Sequence, residues 1–340
     1  MTAHVTVPVS DPSQVGEARR TAQRLAANAG LSEVECGTAA IVATELASNL
    51  SKFATGGRLL LQILRRPSGA CIELLSIDSG PGVADLERGL RDGYSTSGTP
   101  GTGLGAVRRL ATEFDIFSRV GGGTVVMARI GAACGAPVAR GFQWAAVSST
   151  APHELVCGDA WRVCERDGEI ALMVADGLGH GPLAAAAADL AAHVFDADGF
   201  DAPNAIFDRA HRALSGSRGA ALATAHVTQQ TGVRYAGVGN IAGSLVSPVQ
   251  SRGMASQNGT VGLHMRKVQP IDYEWPERAL LIVHTDGVSN RWSLDGYEGL
   301  ISRHPAVVAA VLLRDFTRGR DDATVVVVRS ERRTTESSHA

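Results

Sequence analysis

The stretch GYSTSGTPGTGLGAV, Gly93 to Val107, carries five glycines and reads as a loop running into a helix. Backbone N–H groups leading into a helix N-terminus favour an anion such as phosphate. No Gly-Lys-Ser or Gly-Lys-Thr closes the stretch, so it does not meet the P-loop pattern. Two upstream pieces narrow its meaning. Glu45 and Asn49 stand four residues apart and project from one helix face. There the carboxylate suits a base, and the Asn carbonyl suits Mg²⁺, which takes hard oxygen ligands. Asp78-Ser79-Gly80-Pro81-Gly82 follows a strand-like run directly, which presents a carboxylate beside glycines that admit a flat ligand close to the backbone.

Around these pieces the chain alternates helical and strand patterns. Val15, Ala18, Ala22 and Leu25 have helical spacing, with Gly30 as the stop; Ser32 and Glu35 form a capping-box signature for a second helix. RLLLQILR and CIELLSI read as strands joined at Pro67-Ser68-Gly69. A short helix near 84–90 follows, then one near 104–111, and DIFSRV and GTVVMARI form a hairpin around Gly121-Gly122-Gly123. The small-residue run GAACGAPVARG (131–141) separates this α+β half from a β-rich one. The expected domains are 1–136 and 137–330, with a disordered tail over 331–340. In the second half, helices are expected at 181–195, 203–214 and 305–315 among hairpins such as VCGDAWRVCE and EIALMVAD.

At 340 residues the chain has room for two domains, and its net charge of −2 argues against nucleic acid as a partner. Cys36, Cys71, Cys134, Cys157 and Cys164 form no C-x-x-C pair and read as reduced thiols. No signal-peptide pattern opens the chain, and the alanine-rich run PLAAAAADLAAHVF is too short to span a bilayer. A cytoplasmic protein with no membrane partner is expected.

The order TELASNL, DSGPG, GTPGTGLG and a closing Gly123-Thr124 resembles the Bergerat-type (GHKL) ATPases, and within them the RsbT-like switch kinases, over about residues 5–130. The resemblance implies an α/β sandwich binding ATP with Mg²⁺. It assigns Asp78 to the adenine amino group with Thr124 nearby, Asn49 to Mg²⁺, and Glu45 to the acceptor hydroxyl. Gly80 and Gly82 belong to the first glycine box. Gly101, Thr102, Gly103, Leu104 and Gly105 wrap the phosphates under a short lid, Val83–Pro100. In this fold the metal and backbone amides replace the missing lysine.

The second half places aspartates at strand ends: Asp159, Asp176 in DGLGHG, Asp286, and the pair Asp321-Asp322. Carboxylates gathered at one sheet edge repel and call for a divalent cation, and oxygen-only ligands favour Mg²⁺ or Mn²⁺. VCGDAW, DGLGHG, HTDGVSN and DDATVVVV resemble, in order, the motifs of PPM-type phosphatases of the SpoIIE and RsbX branch, over about 140–330. An αββα sandwich with two Mn²⁺ or Mg²⁺ is implied. Asp176 is then the catalytic, metal-bridging residue, joined by the Gly177 carbonyl, Asp159, Asp286 and Asp321, while Asp322 is the less suited of its pair. His180 is left between a loop-stabilising and a proton-donating role, and Asn240 is expected to satisfy backbone groups. No upstream phosphate-gripping arginine is found, and Arg162 is a weak substitute expected to face solvent. Together the halves imply a partner-switching protein. It would dephosphorylate serine or threonine on STAS-domain antagonists, with other sigma-factor regulators as further partners. The ATP domain would either phosphorylate a STAS protein or regulate the phosphatase; alternatively it is a non-catalytic docking module.

Overall fold

The computed structural model describes residues 4–66, 69–90, 103–131, 141–166, 168–228 and 232–330. The chain divides into two compact units, one of Thr2–Ala136 with Ser293–Asp315, the other of Pro137–Trp292 with Phe316–Ala340. The excursion at Ser293–Asp315 departs from the expected division, which assigned all of 137–330 to one domain.

In the first unit β1 (Val5–Pro8), β2 (Arg58–Arg66), β3 (Gly69–Ile77), β4 (Glu113–Ser118) and β5 (Thr124–Ile130) form an antiparallel sheet of order β1-β2-β3-β5-β4. One face carries α1 (Ser13–Asn28), α2 (Glu33–Phe53) and α4 (Gly103–Leu110); α3 (Leu86–Gly89) is a single turn. Alanines dominate the buried helix faces, Ala18, Ala22 and Ala26 of α1 meeting Ala39, Ala43 and Ala47 of α2, so the helices seat closely on Leu59, Leu61, Ile72 and Leu74. The capping box forms as spaced: the Glu35 N–H donates to Ser32 Oγ (3.3 Å) and the Ser32 N–H to Glu35 Oε2 (2.9 Å). Gly30, at φ 79°, takes the left-handed turn after α1.

These three helices cover only one face, yet Leu60, Gln62, Glu73, Leu75, Met127 and Arg129 on the other are buried as well. Doubly buried strands lose their polar alternation, which is why RLLLQILR and CIELLSI read as near-continuous apolar runs. At the centre of this face Arg129 (1% exposed) donates from Nε to Glu73 Oε2 (2.7 Å) and from Nη1 to Glu113 Oε2 (2.8 Å), and Gln62 donates to Glu73 Oε1 (2.6 Å). The sheet register aligns Gln62, Glu73, Arg129 and Glu113 in one row. Ser293–Asp315 adds His304, whose Nδ1 accepts from the Ala306 N–H (3.0 Å), placing its proton on Nε2 toward Glu113 (3.3 Å). Asp115 accepts from the His304 N–H (2.6 Å), and Tyr297 stacks on Phe117.

The second unit is a sandwich of two five-stranded antiparallel sheets. One comprises β7 (Asp159–Arg166), β8 (Glu169–Gly177), β9 (Ala220–Thr228), β10 (Gly232–Val238) and β13 (Ile271–Tyr273), in the order β13-β10-β9-β8-β7. The other comprises β6 (Phe142–Ser149), β11 (Ala242–Val246), β12 (Ser251–Met254), β14 (Leu280–His284) and β15 (Ala323–Ser330), in the order β12-β11-β14-β15-β6. Ile170, Leu172 and Val174 of β8 meet Leu281, Val283, Val326 and Val328 between the sheets. Outside, α5 (Pro182–Asp198) and α6 (Pro203–Ala213) pack on Ala171, Met173, Ala175 and Leu222. The connection from β14 to β15 contains the excursion and α7 (Pro305–Phe316). Pro305–Arg314 is buried on all sides of that helix, in keeping with its apolar sequence PAVVAAVLLR.

Cys36, Cys157 and Cys164 are free, but Cys71 is disulfide-bonded, which corrects the reading of all five as thiols. No helix among the described residues is long and apolar enough to cross a membrane. The expected tail, 331–340, lies outside the described residues.

Candidate functional site

Two sites emerge, one in each unit. The first is a cavity of about 680 Å³ lined by Glu45, Asn49, Asp78, Gly82, Leu104 and Thr124, among others. Its volume suits a ligand of nucleotide size. α2 brings Glu45 and Asn49 in from one side as i and i+4. The turn after β3 supplies Asp78, whose N–H donates to the Thr124 carbonyl (3.0 Å) and whose Oδ1 accepts from the Gly80 N–H (2.7 Å). That turn requires its glycines: a Cβ on Gly123 would stand 2.0 Å from the Asp78 carbonyl, and one on Gly82 would stand 2.1 Å from that of Arg119. Burial raises the Asp78 pKa, against the Gly80 and Thr124 hydrogen bonds and Arg314, which lower it. Thr124 Oγ1 lies 2.9 Å from Ser118 Oγ.

Gly103 and Leu104 line the cavity where α4 begins; Gly105, two residues in, is buried, and Gly80 shapes the turn without lining the space. Gly101 and Thr102 lie outside the described residues, as does the lid beyond Leu90. Sequence reasoning missed Arg314. It chelates Asp315 through Nε and Nη2 and donates from Nη1 to the Asp78 carbonyl (3.1 Å). No local motif marks it, since 236 residues separate the partners.

The second site lies at one end of the sandwich. Asp159, first residue of β7, pairs in register with Asp176 on β8. Asp159 Oδ2 accepts from Thr285 Oγ1 (2.8 Å), while its Oδ1 is buried with no partner. Burial and the neighbouring Asp176 push the Asp159 pKa well above the carboxylate range. Asp176 is pushed up to about 7 by burial and by Asp286, Asp321 and Asp322. Gly177 admits no side chain: its Cβ would stand 2.0 Å from the Ala184 carbonyl. Asp322 has a different job, accepting from the Ala151 and Gly158 N–H groups (both 2.8 Å), so both its oxygens are engaged. Asp321 Oδ1 accepts from the Asp322 N–H (2.9 Å).

Asn240 departs from expectation: it donates to Asp286 Oδ2 (2.7 Å), not to backbone groups. Arg162 does not face solvent unpaired either, because its Nε reaches both oxygens of Asp196 at 2.9 Å. His180 Nδ1 pairs with Glu154 Oε1 (2.5 Å). Among the described residues no three His, Cys, Asp or Glu side chains converge in ligating geometry. The donor chemistry nonetheless fits divalent cations: the ligands are all oxygen, one carboxylate oxygen is orphaned, and burial followed by repulsion from neighbouring aspartates lifts two acids.

The histidine kinase-like ATPase domain family matches residues 9–130, and the stage II sporulation protein E (SpoIIE) family matches residues 166–331. The serine/threonine-protein kinase RsbT of Bacillus subtilis (strain 168) is 32% identical over 111 residues, 33% of this chain and 84% of that protein. The chain belongs to the RsbT-like GHKL ATPases, fused to a SpoIIE-like PPM-type serine/threonine phosphatase domain. The GHKL-type half has the α/β fold described above and the PPM-type half the αββα fold. A solved structure from work on the bacterial stressosome, as a modular system adapted to control secondary messenger signalling, is 28% identical. It covers 55% of this chain and 99% of its own, with a TM-score of 0.51. RsbX in complex with magnesium is 23% identical and covers 56% of this chain and 96% of its own, with a TM-score of 0.49.

Proposed function

We propose that the chain is a cytoplasmic partner-switching enzyme that removes phosphate from serine or threonine of STAS-domain regulatory proteins, under the control of its ATP domain. The observation that carries the phosphatase reading is the Asp159–Asp176 pair, two half-buried, unneutralised carboxyls at one sheet end, of which Asp159 has an orphaned buried oxygen. Asp159, Asp176, Asp286, Asp321 and the Gly177 carbonyl would hold two Mn²⁺ or Mg²⁺. When bound, such ions supply a low-pKa water and a charge clamp on the phosphoryl group. Thr285 fixes Asp159 and Asn240 fixes Asp286, so both carboxylates are aimed before any ligand arrives. Phosphate release from a phosphoserine STAS protein with Mn²⁺ tests the reading; no release from the wild-type chain would overturn it.

In the other unit Asp78 would hold the adenine amino group on Oδ2, since Oδ1 is committed to Gly80. Asn49 would hold Mg²⁺, and the α4 N-terminus would face the phosphates. Asp78→Ala is expected to weaken ATP binding at least about tenfold by calorimetry, the loss of a hydrogen bond in a partly buried site; wild-type affinity would remove Asp78 from the adenine site. Glu45 would orient an acceptor hydroxyl if this domain transfers phosphate. Labelled ATP with candidate STAS proteins separates kinase from docking module: label that disappears in Glu45→Ala marks a kinase, and no label in the wild type marks docking.

Arg314 favours regulation. It touches the Asp78 backbone and lies in the chain segment that connects Asp286 to Asp321, two proposed metal ligands. Saturating ATP is expected to change the phosphatase rate by about twofold or more, and Arg314→Ala to abolish that dependence. Equal rates with and without ATP in the wild type would refute the coupling.

A further inference from the structure

A phosphatase must grip the substrate's phosphoryl oxygens, and no arginine stands between Gly141 and Asp159. Arg162 is not available, being chelated by Asp196 three positions into β7. Arg218 stands where such a group is needed. The β8–β9 register sets Asp176 opposite Ala221 and Gly177 opposite Ala220, so Arg218, two residues before β9, emerges at the aspartate end of the sheet. Its neighbour Gly219 accepts from the Leu178 N–H (3.0 Å), tying this turn to the DGLGHG loop. The guanidinium lies over that loop: a Cβ built on Gly179 would stand 2.9 Å from Arg218 Nη1.

The backbone beneath Arg218 is constrained while its side chain is free. Gly219 takes φ 77°, and a Cβ there would meet Val261 O and Thr260 Cγ2 at 2.8 Å. Ser217 accepts from the Gly219 N–H (3.0 Å) and donates to the Leu214 carbonyl (2.7 Å). Arg218 itself is exposed and makes no hydrogen bond or ion pair among the described residues. Glu154 is engaged with His180, and Asp322 with two backbone N–H groups. A planar cation with five donors, unpaired beside a carboxylate cluster, is matched to a tetrahedral dianion shared with bound cations.

We propose that Arg218 is the phosphate-gripping residue of the phosphatase site, taking two non-bridging oxygens of a phosphoserine or phosphothreonine. The inference rests on the phosphatase reading. In the reaction it serves, water oxygen bonds to phosphorus, the phosphorus–Oγ bond breaks with its electron pair going to Oγ, and a water proton ends on the released hydroxyl. Arg218 acts on the phosphoryl group before and after transfer, so substrate and inorganic phosphate should both feel its loss.

The test uses the full chain with Mn²⁺ and compares Arg218→Ala, Arg218→Lys and Arg320→Ala, the last removing an exposed arginine beside Asp321. Two readouts are taken: kinetics on a phosphoserine peptide, and calorimetric titration with inorganic phosphate. Arg218→Ala is expected to raise KM and the phosphate dissociation constant together by about 10- to 100-fold, with a smaller change in kcat. Arg218→Lys should recover part of the loss, and Arg320→Ala none of it. Unchanged KM and phosphate affinity in Arg218→Ala would overturn the proposal, as would finding the loss in Arg320→Ala instead. If the wild type hydrolyses nothing, the phosphatase reading fails, yet the phosphate titration still decides whether Arg218 grips the anion.

Discussion

Asp176→Asn should abolish phosphatase turnover and at the same time stabilise the metal-free protein. The first effect follows from removing a carboxylate that would hold the cations, and a fall of roughly two to four powers of ten is expected. The second follows from the raised proton affinity of Asp176, whose pKa moves from 3.8 to about 7 through burial and then Asp286, Asp321 and Asp322. An acid with a raised folded pKa favours the folded state below that value and disfavours it above, so metal-free stability should fall as pH rises from about 4 through 7. At about 1.4 kcal/mol per tenfold in proton affinity the bound is about 4 kcal/mol, and solvent relaxation brings the gain in Asp176→Asn to order 1–3 kcal/mol at pH 8. Thermal unfolding in chelator across pH 5–8 checks it. A wild-type chain with no loss of stability over this range, or a variant that still turns over, contradicts the assignment.

Arg129→Met carries the largest expected stability loss. The substitution takes the guanidinium away from fully buried Glu73 and leaves it Gln62 and the more distant His4 (3.9 Å), a defect that typically costs about 3–5 kcal/mol. Chemical denaturation should show the deficit, and the double variant Glu73→Gln with Arg129→Met should recover much of it, because the stranded charge is then gone. The wild-type cluster is also acid-labile in a defined direction. Although burial opposes it, Glu113 is held down to about 2 by His304 and Arg129, and Glu73 lies lower still under the influence of Arg129. Depressed acids contribute stability above their ordinary range near 4.5 and lose it as pH falls toward 2. That acid-sensitive component should be smaller in the double variant; identical acid profiles would argue against the cluster.

Much of this was legible before any fold was seen, because the relevant signals are local. Ser32 and Glu35 cap α2, and the i, i+4 spacing of Glu45 and Asn49 puts both on one cavity wall. An aspartate ending an apolar run places itself at a strand end once the strands pair, as Asp176 does opposite Asp159. What escaped depends on residues distant in sequence. Arg314 meets Asp78, Asn240 meets Asp286 and Thr285 meets Asp159 only after the chain has folded. Arg162 looked like a solvent-facing strand residue because its partner Asp196 sits on α5, which periodicity cannot dock. The non-alternating runs of β2 and β3 did carry a clue, since strands apolar on both faces demand a second cover, but not which segment would provide it.

The excursion Ser293–Asp315 changes what counts as a removable part of this protein. A gene truncated after Ala136 would make an ATPase half whose Glu113 has lost His304 and whose Asp115 has lost its backbone donor. Splicing a foreign phosphatase onto that half would transplant the wrong cover. The unit of inheritance, and of any attempt to shuffle such proteins, is therefore the whole chain: its two chemistries are sewn together by 23 residues that a cut between domains would leave on the wrong side.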